Sequence, residues 1–412
     1  MWFAERLNPG RSGYHDAVTL NLTGPLELEA LRVAFADCRQ QHDALRLRVH
    51  ESGGKLTQTF DAIAPAWREM DVRGLTPDRQ GAAVRRHFAI DCTEPFDLAG
   101  GPLWRMRLVR LADQEHQLLI VLHHLMTDGW SHGVFLRSLI SRYVARLRGL
   151  ATPPPLAPSF ELWASRRVAA EKAASAAGKA QEAALQLRSA PRRVELPGLI
   201  DVREARGSVL ALELPPDDMS SFDATCASAG LSRYMAMTGL FAHMIAEVSG
   251  APELIVSAPV ADRAAPDAAR VIGCMINAVP MRVVPPAAGL MAAARAGREA
   301  VVSALGLLDV PYRDIVRAVD APFDTSLSDP LTNIACEEFN SPRGTWQVGE
   351  LTVTVRPRGE FQVRHDLTLS VPSGVTDPPE LIYPARRWQP GAVADLAAHL
   401  VRLVRSFGRE AA

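Results

Sequence analysis

Lysine is almost missing from this chain. Of its 45 basic residues only Lys55, Lys172 and Lys179 are lysines. So strong an arginine bias reflects genome composition and weakens any single arginine as a sign of an anion site. The 46 acidic residues bring the net charge to -1, without the basic surplus that a nucleic-acid-binding domain favours. Cys38, Cys92, Cys226, Cys274 and Cys336 are odd in number and scattered, with no Cys-x-x-Cys pair. No targeting segment opens the sequence, so a reduced, cytoplasmic protein is expected. No apolar run approaches the length of a membrane span, which argues against a membrane partner. A Gly-rich phosphate loop and a carrier-protein serine motif are both absent, so nucleotide-driven activation belongs elsewhere.

What is present is an ordinary globular composition, 48% hydrophobic and 22% charged, over 412 residues. That length allows two domains, each with its own core. One stretch organises the chain: His123-His124-Leu125-Met126-Thr127-Asp128-Gly129-Trp130-Ser131. The unbroken apolar run Leu118 to Leu122 before it predicts a buried strand. After it, Leu136, Leu139, Ile140, Tyr143, Val144 and Leu147 recur at spacings of three and four, predicting a helix with Ser131 as its N-cap. The motif therefore sits on a strand-to-helix turn. Because strand side chains alternate, His123 and His124 face opposite ways, one offered to substrate and the other packed. A rigid turn presenting one imidazole suits base catalysis near neutral pH. Asp128 stands where it can pin the backbone or bind a basic side chain, and Gly129 supplies room that a β-carbon would forbid.

Elsewhere, Val18, Leu20 and Leu22 alternate as a strand, and a helix with Leu31, Ala34, Phe35 and Cys38 follows. Leu45 to Val49 and Leu56 to Phe60 predict a hairpin about Gly53-Gly54. Pro153, Pro154, Pro155 and Pro158 mark the first linker, dividing the chain into domains 1-158 and 159-412. Ser165 to Leu187 has strong helix propensity. Leu210, Leu212 and Leu214 predict a strand, Ser232 to Ser249 a helix with Met235, Leu240, Met244 and Val248 in the core, and Leu254 to Val260 a buried strand ending at Arg263. A last amphipathic helix carries Val393, Leu396, Leu400, Leu403, Val404 and Phe407.

The order His-His-x-x-x-Asp-Gly-Trp-Ser resembles the core motif of nonribosomal peptide synthetase condensation domains. Gln41-His42-Asp43-Ala44-Leu45-Arg46 is similar to that family's Arg-His-Glu-x-Leu-Arg, with Gln41 and Asp43 as departures. Phe160-Glu161-Leu162-Trp163 resembles Tyr-x-Asp-Phe-Ala-Val-Trp through Trp163. Ile272 to Val279 resembles Ile-Gly-x-Phe-Val-Asn-Thr, with Asn277 its best-matched polar residue. Met1-Trp2-Phe3 and Leu7-Asn8-Pro9-Gly10 look like the end of the first family motif and the loop after it. Asp329-Pro330-Leu331 keeps the end of another motif, with Ser328 where an arginine is usual.

The resemblance implies an α/β fold of two chloramphenicol acetyltransferase-like sandwich lobes in a V-shaped pseudodimer, with the active site in the channel between them. It implies an acyltransferase that forms an amide or ester from a thioester on a carrier protein's phosphopantetheine arm, with no bound cofactor. His124, Asp128 and Gly129 would form the catalytic motif, with His123, Arg46, Trp163, Ser131 and Asn277 in support and Arg46 paired to Asp128. Lacking activating and carrier domains, the chain is expected to be a free-standing enzyme meeting acyl or peptidyl carrier proteins in trans. Rivals are a coenzyme A-dependent acyltransferase, since the wider superfamily shares His-x-x-x-Asp-Gly, and a non-catalytic module that recruits carrier or tailoring proteins. A metal hydrolase using His124, Asp128 and His132 is disfavoured, because the turn breaks their helical register and no His-Glu-x-x-His occurs.

Overall fold

A computed structural model describes residues 1–2, 5, 14–61, 63–150, 157–202, 206–287, 289–320, 329–357, 363–374 and 377–410. In chain order the strands are β1 (His15–Thr23), β2 (Leu47–Ser52), β3 (Lys55–Phe60), β4 (Ala66–Asp71), β5 (Trp104–Ala112), β6 (Glu115–His123), β7 (Gly207–Ala211), β8 (Leu254–Ala261), β9 (Ile276–Val283), β10 (Ile334–Phe339), β11 (Gly344–Val348), β12 (Leu351–Pro357), β13 (Leu367–Pro372) and β14 (Glu380–Pro384). The helices are α1 (Leu28–Gln41), α2 (Pro77–Thr93), α3 (Gly129–Leu147), α4 (Phe160–Ala176), α5 (Lys179–Leu187), α6 (Pro216–Ser228), α7 (Arg233–Ser249), α8 (Leu290–Leu305), α9 (Tyr312–Ala318) and α10 (Ala392–Gly408).

The chain forms two compact units, and these are not consecutive halves. The first comprises Met1–Ser165, Arg263–Met275 and Ser341–Phe361, and the second comprises Arg166–Asp262, Ile276–Asn340 and Gln362–Ala412. A single cut after residue 158 therefore gives way to a break at 165 and two later returns to the first unit. The cause is sheet pairing: β12 bonds antiparallel to β1, so a distant segment extends the first sheet. Composition marks where a chain leaves a domain; it carries no mark of a later return.

The first unit is built on a six-stranded sheet of order β11-β12-β1-β6-β5-β4, in which only β4 and β5 run parallel. Its central strand β6 is buried on both faces from Leu118 to His123, which is why its sequence is an unbroken apolar run. Leu118, Ile120 and Leu122 join the core formed with Leu31 and Phe35 of α1 and Phe135 and Leu139 of α3. Leu119 and Val121, on the other face, meet Phe88 and Cys92 of α2. The hairpin β2–β3 closes at Ser52 opposite Lys55, leaving Gly53 and Gly54 at positive φ as its turn.

The second unit has a six-stranded mixed sheet of order β7-β14-β13-β10-β8-β9, with β10 parallel to both β13 and β8. Its core draws on Leu240, Phe241 and Met244 of α7 and Leu400, Val404 and Phe407 of α10. The helix expected over Ser165 to Leu187 is two helices, α4 and α5, separated by a turn at Ala177 and Gly178. The strand expected through Leu214 ends at Ala211. Residues 153–155 of the proline linker, Phe3, Leu7 to Gly10 and Ser328 lie outside the described residues.

Candidate active site

The motif turn is held by the strands that flank it. The His123 N–H donates to the Leu103 carbonyl at 2.9 Å and the His124 N–H to the Tyr14 carbonyl at 2.7 Å. His123 ends β6 and is fully buried, whereas His124 begins the turn and is half-buried. Strand alternation accounts for the split. His15 of β1 lies opposite His123, so these two rings share one face of the sheet, and His124 falls on the other.

His124 is fixed through one nitrogen. Its Nδ1–H donates to the Thr127 carbonyl at 2.7 Å, closing the turn on itself and leaving Nε2 as the lone-pair nitrogen of the neutral ring. The sulfur of Cys274 lies 3.8 Å from the same Nδ1. Burial opposes a charge on His124, but Asp16 and the Cys274 sulfur favour one and hold the imidazole well above its ordinary value. His132, on the first turn of α3, has its Nδ1 3.2 Å from the Ser341 hydroxyl and its Nε2 3.7 Å from Asp16. Burial lowers the His132 pKa.

Asp128 is engaged through both carboxylate oxygens. It is the N-cap of α3, accepting from the Ser131 N–H at 2.8 Å, which displaces Ser131 from the capping role expected of it. The Ser131 hydroxyl also donates to Asp128 at 2.7 Å. Both carboxylate oxygens then accept from Arg263 Nη2 at 2.8 Å, and the Met275 N–H donates to Oδ2 at 3.2 Å. Asp128 therefore ties the motif to the returning segment Arg263–Met275. Arg46, the partner expected from the resemblance, takes no part in these bonds; it closes the short 3-10 turn Asp43–Arg46. Arg263 was marked in the sequence only as the end of a buried strand, and the return of its segment to the first unit reveals its partner.

The neighbouring motif residues are structural. Asp43 caps α4 from a distance, accepting from the Ser159 hydroxyl at 2.7 Å and from the Phe160 and Glu161 N–H groups at 3.0 Å. Gln41 accepts from Arg142 and, at 3.0 Å, from Ser138. Trp163 stacks on Phe160 with ring centroids 5.6 Å apart, and the Phe160 ring fills the space where a β-carbon on Gly273 would lie. Gly129 is a milder case: a β-carbon would sit 3.1 Å from the Ser341 hydroxyl oxygen. Asn277 belongs to the second unit, where its amide donates to the Leu308 and Val310 carbonyls at 3.0 and 2.7 Å. The trio His124, Asp128 and His132 is not gathered as a ligand set. Among the described residues, the convergent group is Glu5, His15 and His123.

Compared with known proteins, residues 1–407 match the family described as Condensation domain. The chain belongs to that family. This condensation domain is 31% identical over 327 residues to phosphinothricin tripeptide synthetase PhsC of Streptomyces viridochromogenes, an alignment covering 77% of the chain and 30% of PhsC. It is 27% identical to the probable non-canonical nonribosomal peptide synthetase CymA of Salinispora arenicola, over 99% of the chain and 5% of CymA. It thus spans less than a third of the length of these relatives. Its fold is that of the first condensation domain of the calcium-dependent antibiotic synthetase, with a TM-score of 0.80 at 19% identity, covering 99% of this domain and 94% of that chain. The teicoplanin X-domain, solved in complex with OxyB, gives a TM-score of 0.81 at 23% identity, covering 100% of this domain and 92% of that chain.

Proposed function

We propose that this domain transfers an acyl group from a carrier-bound pantetheine thioester to an amine or hydroxyl acceptor, forming an amide or ester. The observation that carries the reading is the hydrogen bond from His124 Nδ1 to the Thr127 carbonyl, which commits one nitrogen and leaves Nε2 to handle the acceptor's proton. The raised pKa favours the imidazolium, so Nε2 must first give up its own proton to solvent. The neutral ring then takes the acceptor's proton as the nucleophile attacks the thioester carbonyl and passes it to the departing pantetheine thiolate. Asp128 holds the turn through Arg263 and the helix cap, and Gly129 keeps the entry to α3 close to Ser341. Acyl and peptidyl carrier proteins are the partners in this scheme, and no cofactor bound to this domain takes part.

The test is intact-mass detection of product when an acyl-loaded carrier protein is offered amines and alcohols, with wild type beside His124→Ala. Product that depends on His124 supports condensation, and its mass identifies the bond formed. Equal use of matched coenzyme A donors would instead support a coenzyme A-dependent acyltransferase. Fold likeness to an X-domain solved with OxyB favours a second reading, a recruitment module. Carrier binding without turnover of any pair would support that one.

A further inference from the structure

On the sheet face opposite His124, three buried side chains turn polar atoms toward one point. Glu5, His15 and His123 each bring one ligand atom within 4.8 Å of the other two, and His123 Nε2 lies 3.7 Å from Glu5 Oε2. Glu5 Oε2, His15 Nε2 and His123 Nε2 are all buried. None of the three atoms has a hydrogen-bond partner among the described residues. His123 is 0% exposed, His15 7%, and the Glu5 side chain 10%. An orphaned buried donor or acceptor is costly, and three in one place call for a common occupant.

We propose that Glu5, His15 and His123 form a binding site for a divalent transition-metal ion, zinc by its ligand chemistry. Two imidazoles and a carboxylate are a ligand set that zinc takes, with a fourth position left for water. His15 is already arranged as a ligand: its Nδ1–H donates to the Cys92 carbonyl at 2.7 Å, which aims the Nε2 lone pair at the site. His123 differs. Its Nδ1 accepts from the Leu125 N–H at 3.0 Å, so Nε2 of the neutral ring carries the proton and points it at Glu5, 3.7 Å away. Zinc takes the place of that proton, which leaves to solvent. One carboxylate and one imidazolate then balance the ion's two positive charges, giving a neutral complex in a buried site where a net charge would be costly. The ion would fasten the N-terminal Glu5 to β1 and to the end of β6, directly before the active-site turn.

The experiment uses the full chain, stripped with chelator and titrated with zinc against a chromophoric competitor, with ions counted by native mass spectrometry. The expected result is one zinc per chain, one proton released to buffer per ion, and a raised melting temperature. Glu5→Gln and His15→Gln should each weaken binding at least about 10-fold. Cobalt(II) should give visible absorption bands in wild type that both variants lose. His132→Gln, which alters a different histidine–carboxylate pair, should bind zinc as wild type does. Absence of stoichiometric zinc in wild type overturns the proposal. So does undiminished binding by Glu5→Gln and His15→Gln, or binding lost only in His132→Gln.

Discussion

Asp128 and Arg263 are joined through both carboxylate oxygens at 2.8 Å, across 135 residues of sequence. Both side chains are almost wholly buried, at 2% and 8% exposure. The same guanidinium donates through Nη1 to the Ala268 and Val271 carbonyls, at 2.7 and 2.9 Å, so one arginine shapes the returning segment and docks it on the motif. Trp130 adds to the clamp, its indole N–H donating to the Ala269 carbonyl at 3.0 Å. The aspartate of the motif is thus a fastener. It sets where the turn sits.

Removing one partner of such a pair leaves the other charge buried and uncompensated. Asp128→Ala should therefore cost about 3–5 kcal/mol of stability. A double-mutant cycle in urea assigns the partner: Asp128 with Arg263 should show coupling of at least ~1 kcal/mol, and Asp128 with Arg46 a value near zero. Coupling to Arg46 and none to Arg263 would refute the pairing.

How far the sequence could be read follows from the same residues. Local patterns were legible: the apolar run of β6, the spacing in α3, the Gly53-Gly54 hairpin and the stripe of α10 all came from neighbours in the chain. The motif's place on a strand-to-helix turn, and the opposite fates of His123 and His124, follow from alternation alone. Long-range placement was not legible. That Arg263 reaches Asp128, that Asp43 caps α4, and that β12 pairs with β1 depend on which distant segments share a unit, and no local signal encodes that. The exchange of Ser131 for Asp128 as N-cap is a smaller miss of another kind. Asp and Ser are both favoured caps, and only the backbone at Asp128, extended at φ −142°, decides between them.

His124→Ala should leave the fold intact, because its ring is half-buried and its hydrogen bond to the Thr127 carbonyl closes a local turn. The effect should fall on chemistry, and unequally. An α-amino group with a pKa of about 8 is partly neutral near pH 7.5, so an amine acceptor needs positioning more than deprotonation. An alcohol must lose its proton during attack, where a positioned base contributes about 10²–10⁴-fold. With matched acceptors, rates of ester formation should drop further than rates of amide formation. Equal losses would contradict proton handling by this ring.

Glycine tolerance separates two positions that look alike in sequence. At Gly129 an added methyl meets the end of a serine side chain at 3.1 Å, which can rotate away, so Gly129→Ala should cost under ~1 kcal/mol. That is milder than the motif's glycine suggests by itself. At Gly273 the methyl meets the Phe160 ring, itself buried and stacked on Trp163, and Gly273→Ala should cost about 1–3 kcal/mol. Urea midpoints of the two variants, measured side by side, check the order; a reversed order would mean that Phe160 is free to move.

Acid stability should report on His42. Burial pushes this imidazole down from 6.5 to about 4, helped by Arg142 and opposed by Asp43. Its Nε2 lies 3.2 Å from the Ser138 hydroxyl, in a pocket that also holds Cys38. Above pH 6.5 the ring is neutral both folded and unfolded, and it adds no pH dependence. Between 6.5 and 4 the unfolded chain takes up a proton that the folded one refuses, so stability falls as pH falls, by about 1.4 kcal/mol per unit. Across the whole window this one histidine accounts for roughly 3 kcal/mol, and below pH 4 its share stops growing. His42→Gln should therefore flatten the fall in unfolding free energy between pH 6.5 and 4 without abolishing it. An unchanged slope in urea titrations across that range would show that the His42 ring is protonated in the native protein.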